Sequence, residues 1–234
     1  MNKISITFLI ILFTLASNIA WSADYNKGVD AYYSGDFATA LREFKPLAEQ
    51  GNNDAQFWMG YMYKHGQGVP QDYKTAMKWY RLSAEQGDDD AQYNLGQMYR
   101  IGEGVPQDYK TAMKWYRLSA EQGNDSAQVN IGQMYDQGLG DISQNYKTSA
   151  KWFRLAAEQG NIIAQYNLGI SYFLGEGVIQ DNVYAHMWLN ISASNGKEKG
   201  IDARDMIAKK MSSADISQAQ KLARECVAKN YKGC

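Results

Sequence analysis

Residues 70–87 and 106–123 carry the same run of letters, PQDYKTAMKWYRLSAEQG, at an offset of 36 positions. A repeat of that length means that the chain is assembled by stacking one supersecondary unit, because a single unit cannot bury its apolar faces alone. Extending outward from these anchors aligns four units, starting at Asp54, Asp90, Ser126 and Ile163. Each opens with Ala-Gln-x-x-apolar-Gly-x-x-Tyr, at 55–63, 91–99, 127–135 and 164–172, followed by a Gly-x-Gly loop. The second half of a unit places an Ala three residues before a Trp: Ala76 and Trp79, Ala112 and Trp115, Ala185 and Trp188. In the third unit Ser149 stands ahead of Trp152, and one extra residue falls in the loop between Gly140 and Tyr146, where insertions are tolerated.

Local chemistry predicts a helix in each half. Asp72 and Asp108 sit at N-cap positions behind Pro70 and Pro106, which hold the incoming chain out of the helix. Gly87, Gly123, Gly160 and Gly196 end the second helices. Tyr73, Ala76, Met77, Tyr80 and Ala84 recur at three and four residues, one face of a 3.6-residue period. Gly60, Gly96, Gly132 and Gly169 would allow close helix approach, with Tyr63, Tyr99, Tyr135 and Tyr172 filling the space beside them.

The 36-residue period, the Gly-x-x-Tyr helix, the G-x-G-V-P-Q-D-Y loop and the A-M-K-W-Y-R helix resemble Sel1-like repeats, relatives of tetratricopeptide units. The resemblance implies an all-α, right-handed α-solenoid of stacked helix-turn-helix units. On this reading residues 23–53 form an N-terminal tetratricopeptide-like unit. Repeats follow at 54–89, 90–125, 126–162 and 163–196, and 197–234 supplies capping helices. In that cap Ser212 and Asp215 form a capping pair, and Ile216, Ala219, Leu222, Ala223, Cys226 and Val227 form an apolar stripe.

Lys3, an apolar run over residues 4–16 and small residues at Ala20 and Ser22 predict a cleaved signal segment at 1–22. The run is too short for the roughly 20 apolar residues of a membrane span, so no stable membrane insertion is expected after cleavage. An exported chain, periplasmic or extracellular and bacterial in style, follows from this reading. Cys226 and Cys234 are the only cysteines and are expected to form a disulfide that staples the chain end, worth about 2–3 kcal/mol.

The balance of 24 basic against 25 acidic residues leaves no charge excess for a polyanion, so nucleic acid is not an expected partner. Two His and two Cys are too few for a metal cluster. His65 and His186 fall in different units, and neither a Walker loop nor a G-x-S-x-G elbow is present. Ser194 and Lys197 match S-x-x-K by two letters, without the motifs that accompany it in penicillin-recognising enzymes. No enzyme activity, metal or cofactor is therefore expected.

Function then falls to a surface. In tetratricopeptide-like stacks the first helices line a concave groove. By resemblance that groove holds Phe57, Tyr93, Val129 and Tyr166; Tyr61, Gln97, Gln133 and Ile170; and Lys64, Arg100, Asp136 and Phe173. Units one and two are identical through the second helix but differ in the first at Phe57/Tyr93, Trp58/Asn94, Tyr61/Gln97, Lys64/Arg100 and His65/Ile101, a pattern expected of a surface read by side chains and also of drift at exposed sites. Aromatics flanked by cations suit a protein or extended peptide partner. Alternative readings are a cell-envelope enzyme or binder for β-lactam or peptidoglycan-type ligands, and a secretory-pathway adaptor, for which Asn124 and Asn190 stand in formal glycosylation sequons.

Overall fold

A computed structural model describes residues 23–234, so the signal reading lies outside the described residues. The described chain is all helical. Its elements are α1 (Tyr25–Tyr33), α2 (Phe37–Glu49), α3 (Asn53–His65), α4 (Tyr73–Glu85), α5 (Asp89–Ile101) and α6 (Tyr109–Glu121). They continue as α7 (Asp125–Gln137), α8 (Tyr146–Ala157), α9 (Ile162–Leu174), α10 (Asn182–Ser194), α11 (Glu198–Ala208) and α12 (Ser213–Ala228). Each helix through α10 packs on the next, and α12 turns back onto α10, giving an α-solenoid of five hairpins closed by two terminal helices.

Every helix start except that of α11 is satisfied by a short polar side chain. Asp72, Asp108, Asn145 and Asp181 cap the second helices, and Asn52, Asp88, Asn124 and Asn161 cap the first helices of the four units. The first-helix caps each accept a hydrogen bond from the amide of the Ala that opens the motif.

The Gln after that Ala explains why the motif reads Ala-Gln. Gln56, Gln92, Gln128 and Gln165 are buried, and each donates Nε2 to a carbonyl near the end of the preceding second helix, at Ala48, Ala84, Ala120 and Ala157. Each Oε1 accepts from a residue just past the end of its own unit's second helix: Gln86, Gln122, Gln159 or Asn195. One buried amide thus joins three helices, and its own bonding groups are met within the stack.

Close approach occurs at the motif glycines, but against different rings from those expected. A Cβ placed on Gly96 would lie 2.6 Å from the ring of Tyr116 on the following helix. Gly60 faces Tyr80, Gly132 faces Phe153 and Gly169 faces Leu189. Tyr99, Tyr135 and Tyr172 instead sit half-buried at the junction between units, where Arg81, Arg117 and Arg154 of the preceding second helix donate to their hydroxyls. The second glycine of the loop has its own constraint. At Gly104, φ is +75° and a Cβ would lie 2.9 Å from the backbone of Tyr73, so the loop can rest on the start of the previous unit's second helix only as glycine.

At the chain end Ser212 and Asp215 form a reciprocal capping box, and Cys226 is bonded to Cys234. Asn230 and Tyr231 turn the tail with φ of 50° and 65°, bringing the Tyr231 ring over Gly160 and its hydroxyl to Asn195. Ala219, Ala223 and Cys226 are buried, whereas Val227, expected in the same stripe, is 48% exposed and lines an open cleft with Asn190, Ile191 and Ser194 of α10.

The outer face of α10 differs from its counterparts because α12 covers it. Lys78, Lys114 and Lys151 are exposed, while the equivalent Met187 is buried with Trp188 against Ala223 and Cys226. His186 is also enclosed, with Nδ1 unpartnered among the described residues. Burial, then the Arg204 charge, holds its pKa below the ordinary histidine value, with Asp205 opposing. The unfolded chain therefore takes up the proton first. Stability is full above about pH 6.5 and falls as pH drops from there toward the folded-state pKa. The midpoint of urea unfolding should decline between pH 7.5 and 5.5, and His186→Leu should flatten that decline; an unchanged slope in the variant would assign it to other groups.

Candidate protein-interaction face

The first helices α1, α3, α5, α7 and α9 stand side by side and share one face. At its N-terminal end Tyr32, Phe57, Trp58 and Tyr61 form a continuous aromatic surface. The Tyr32 and Trp58 rings are 4.5 Å apart, Phe57 and Trp58 5.7 Å, and Trp58 and Tyr61 5.9 Å. His65 extends it, with its ring 4.3 Å from Tyr61. Burial, then the neighbouring Lys64 charge, keeps His65 below the ordinary histidine pKa.

The predicted residues of the middle units form a network instead of independent contacts. Gln97 Nε2 donates to the Tyr93 hydroxyl at 2.6 Å, and Gln97 Oε1 accepts from Arg100 Nη2 at 2.9 Å and from the Tyr116 hydroxyl at 3.1 Å. Lys64 donates to Asn94 at 3.3 Å and lies 3.9 Å from Glu103. Burial lowers the Lys64 pKa and Glu103 opposes that shift. Both cations assigned to the groove are thus held by this chain's own groups.

Unit one shows what the network does. Tyr61 and Lys64 replace Gln97 and Arg100 there, and the buried Tyr80 hydroxyl, equivalent to that of Tyr116, has no partner among the described residues. Desolvation drives the Tyr80 pKa well up and raises that of Tyr116, where Arg100 opposes it. Removing an unmet buried hydroxyl relieves a desolvation penalty, whereas removing a bonded one strands its partners. Tyr80→Phe should therefore be neutral or stabilise by about 1 kcal/mol, and Tyr116→Phe should cost about 1–2 kcal/mol; equal effects in denaturant titrations would remove the distinction.

Two parts of the expected groove are corrected. Val129 is 4% exposed and packs with Phe153, Ala164 and Leu168, because a side chain shorter than Phe57 or Tyr93 stays within the packed layer. Tyr166, Ile170 and Phe173 pack against a cluster that Ala185 and Leu189 of α10 form with Ala203 and Ile207 of α11. Lys197 and Lys210 also reach to 5.9 Å of the Tyr166 centroid and 5.0 Å of the Phe173 centroid, so the terminal helices partly close this end. Between the closed end and the middle lies a cleft of about 210 Å³ lined by Gln133, Asp136, Tyr166, Ile170 and Glu176. Burial pushes the Asp136 carboxyl above its usual range.

Among the described residues no group of three or more His, Cys, Asp or Glu could hold a metal ion. Ser194 ends α10, and Lys197 stands at the N-cap position of α11 with its ammonium over the Tyr166 ring and no hydrogen bond to Ser194 among the described residues. The sequon residues are engaged too: Asn124 is an N-cap, and Asn190 accepts from Arg204. Tyr32 and Tyr33 were not legible as members of the face, because α1 lies outside the aligned repeats, whereas Trp58 stands at one of the positions where units one and two diverge.

The Sel1 repeat family profile matches residues 53–88, 89–124, 125–161 and 162–197. The chain belongs to the Sel1-repeat family. Among solved structures, a Sel1 repeat protein from Oxalobacter formigenes is 30% identical, with a TM-score of 0.69 over 87% of this chain and 75% of that one. A protective antigen of uropathogenic Escherichia coli with the same repeat fold is 32% identical, with a TM-score of 0.56 over 91% of this chain. The Sel1-repeat chain described here spans only 55% of that antigen. A comparison with curated proteins gave no match. Sel1-repeat solenoids are generally scaffolds for protein–protein contact, and the helical stack here is of that kind. No helix among the described residues is long and apolar enough to cross a membrane.

Proposed function

We propose that this Sel1-repeat protein is an exported scaffold without catalytic activity that binds a peptide or partner protein on the groove lined by its first helices. The observation that carries the reading is the contrast between units one and two. Their second helices are identical, while the first-helix face changes from Phe57, Tyr61 and Lys64 to Tyr93, Gln97 and Arg100. A scaffold held constant beneath varied aromatic and polar side chains is how a solenoid would display a recognition surface. The Cys226–Cys234 disulfide and the signal-like N-terminus support export to the periplasm or beyond.

The test uses Tyr93→Ala/Gln133→Ala, because Gln133 makes no side-chain hydrogen bond among the described residues and Tyr93 only accepts one from Gln97. This double variant should keep its helicity and lose more than about 1 kcal/mol of partner affinity at each position, measured by crosslinked capture with the purified variant beside wild type. Equal capture by both would move the binding surface elsewhere. Loss of folding would place these residues in the core.

A further inference from the structure

The N-terminal end of the first-helix face holds a cleft of about 380 Å³ lined by Tyr32, Tyr33, Phe57, Trp58, Tyr61 and Asp90. It is contributed by α1, α3 and α5, so three successive hairpins build it. Five aromatic side chains and one carboxylate form a specific combination: ring faces attract a cation through their quadrupoles, and the carboxylate supplies a counter-charge. The rings stand at steep mutual angles, 83° between Tyr33 and Trp58 and 48° between Tyr32 and Trp58, and so give walls instead of one flat stack. Tyr33 is 75% exposed although its ring lies 6.0 Å from that of Trp58, leaving an aromatic face open to an incoming group.

The charges agree with a cationic occupant. One Asp90 oxygen accepts from Asn124 at 3.2 Å, and no ion pair reaches this carboxylate among the described residues. Burial, then the adjacent Asp89 carboxylate, pushes the Asp90 carboxyl above its usual range. Farther along the same face, Asp136 is likewise without an ion pair, while Lys64 and Arg100 are engaged by Glu103 and Gln97. On the second helices Lys74, Lys78, Lys110, Lys114, Lys147 and Lys151 are all exposed, and Lys197 and Lys210 of the terminal helices lie over Tyr166 and Phe173 at the far end of the face. At the N-terminal cleft the Asp90 carboxylate thus lies beside aromatic rings with no cation of the described residues paired to it.

We infer that this cleft is a recognition subsite for an arginine side chain of the partner protein, whose guanidinium stacks on the Trp58 and Tyr33 rings and pairs with Asp90. Arginine fits better than lysine because its planar, weakly hydrated head stacks on ring faces while its N–H groups reach a carboxylate. The inference rests on the proposed groove function and assigns the chemistry of one position within it.

The test titrates the protein, residues 23–234, with N-acetyl-arginine methylamide, following the Trp58 indole and Tyr33 ring resonances by NMR. Saturable shifts are expected, at least tenfold weaker with the uncharged citrulline analogue and abolished by Asp90→Asn. Tyr33→Leu, which keeps bulk but not the ring, should weaken binding by the same order, and both variants should unfold at the wild-type midpoint. Equal binding of arginine and citrulline, absence of shifts, or retention in Asp90→Asn would overturn the inference. Preference for tetramethylammonium over arginine would also overturn it, in favour of a free quaternary amine. Capture lost in Tyr93→Ala/Gln133→Ala but kept in Asp90→Asn would leave the groove reading standing and remove only the arginine subsite.

Discussion

Replacing Trp188 with Ala should cost about 4 kcal/mol of stability, the largest effect of any single truncation considered. Trp188 is fully buried, and around it meet Phe153 of α8, Leu168 of α9, Met187 and Ile191 of α10, and Ala223 and Cys226 of α12. Its counterparts Trp79, Trp115 and Trp152 are only half-buried, because no helix crosses the outer face of their units. Trp79→Ala should accordingly cost less than half as much. In a repeat stack, stability is a sum of unit and interface contributions, so the damage should be local. Hydrogen exchange should accelerate in α10 and α12 well before α4. Trp188→Phe should be far milder than Trp188→Ala, since the indole N–H has no partner among the described residues and its removal offsets part of the lost contact. Similar losses for Trp79→Ala and Trp188→Ala would contradict the role given to α12.

Gly96→Ala should destabilise the middle of the stack by about 3 kcal/mol, at the upper end for overpacking. The new methyl would fall 2.6 Å from two carbons of the Tyr116 ring. That ring cannot move aside easily: it is fully buried and its hydroxyl is tied to Gln97. Gly123→Ala serves as a control, because it has no atom within 4 Å of the added carbon and only an unfavourable φ of +103°. Its loss should be about 1 kcal/mol, from backbone conformation alone. The two causes separate in a double-mutant cycle. Gly96→Ala should cost much less in a Tyr116→Ala background, where the colliding ring is gone, giving a coupling energy above about 1 kcal/mol. Additive losses would mean that the glycine is required for its backbone and not for the close approach.

The helix pairs, their caps and the stack were legible in the sequence, because the 36-residue period repeats every local signal and a shared register averages out errors at any one position. The pairing of Cys226 with Cys234 was legible for a simpler reason, as only two cysteines exist. Less legible was the partner of each close contact. The motif glycine and the motif tyrosine lie on one helix, and only the fold reveals that Gly96 meets Tyr116 while Tyr99 reaches Arg81. The Gln56 ladder was visible as letters but not as chemistry, since a buried glutamine looks like an exposed one until its partners are placed. The candidate face was legible where it repeats and not at its ends. Val129 sank into the layer for want of length, α11 closed over Tyr166 and Phe173 without any periodic signal, and the aromatic cleft depends on α1, which lies outside the repeats.

The most direct test of the groove as the binding surface places a photoreactive amino acid at one of two positions: Gln133, on the first-helix face, or Lys114, exposed on a second helix. Irradiation in an extract of the source cells should yield a discrete covalent adduct from position 133, competed away by unlabelled protein, and none from position 114. An adduct formed only from position 114 would place recognition on the opposite face and contradict the account.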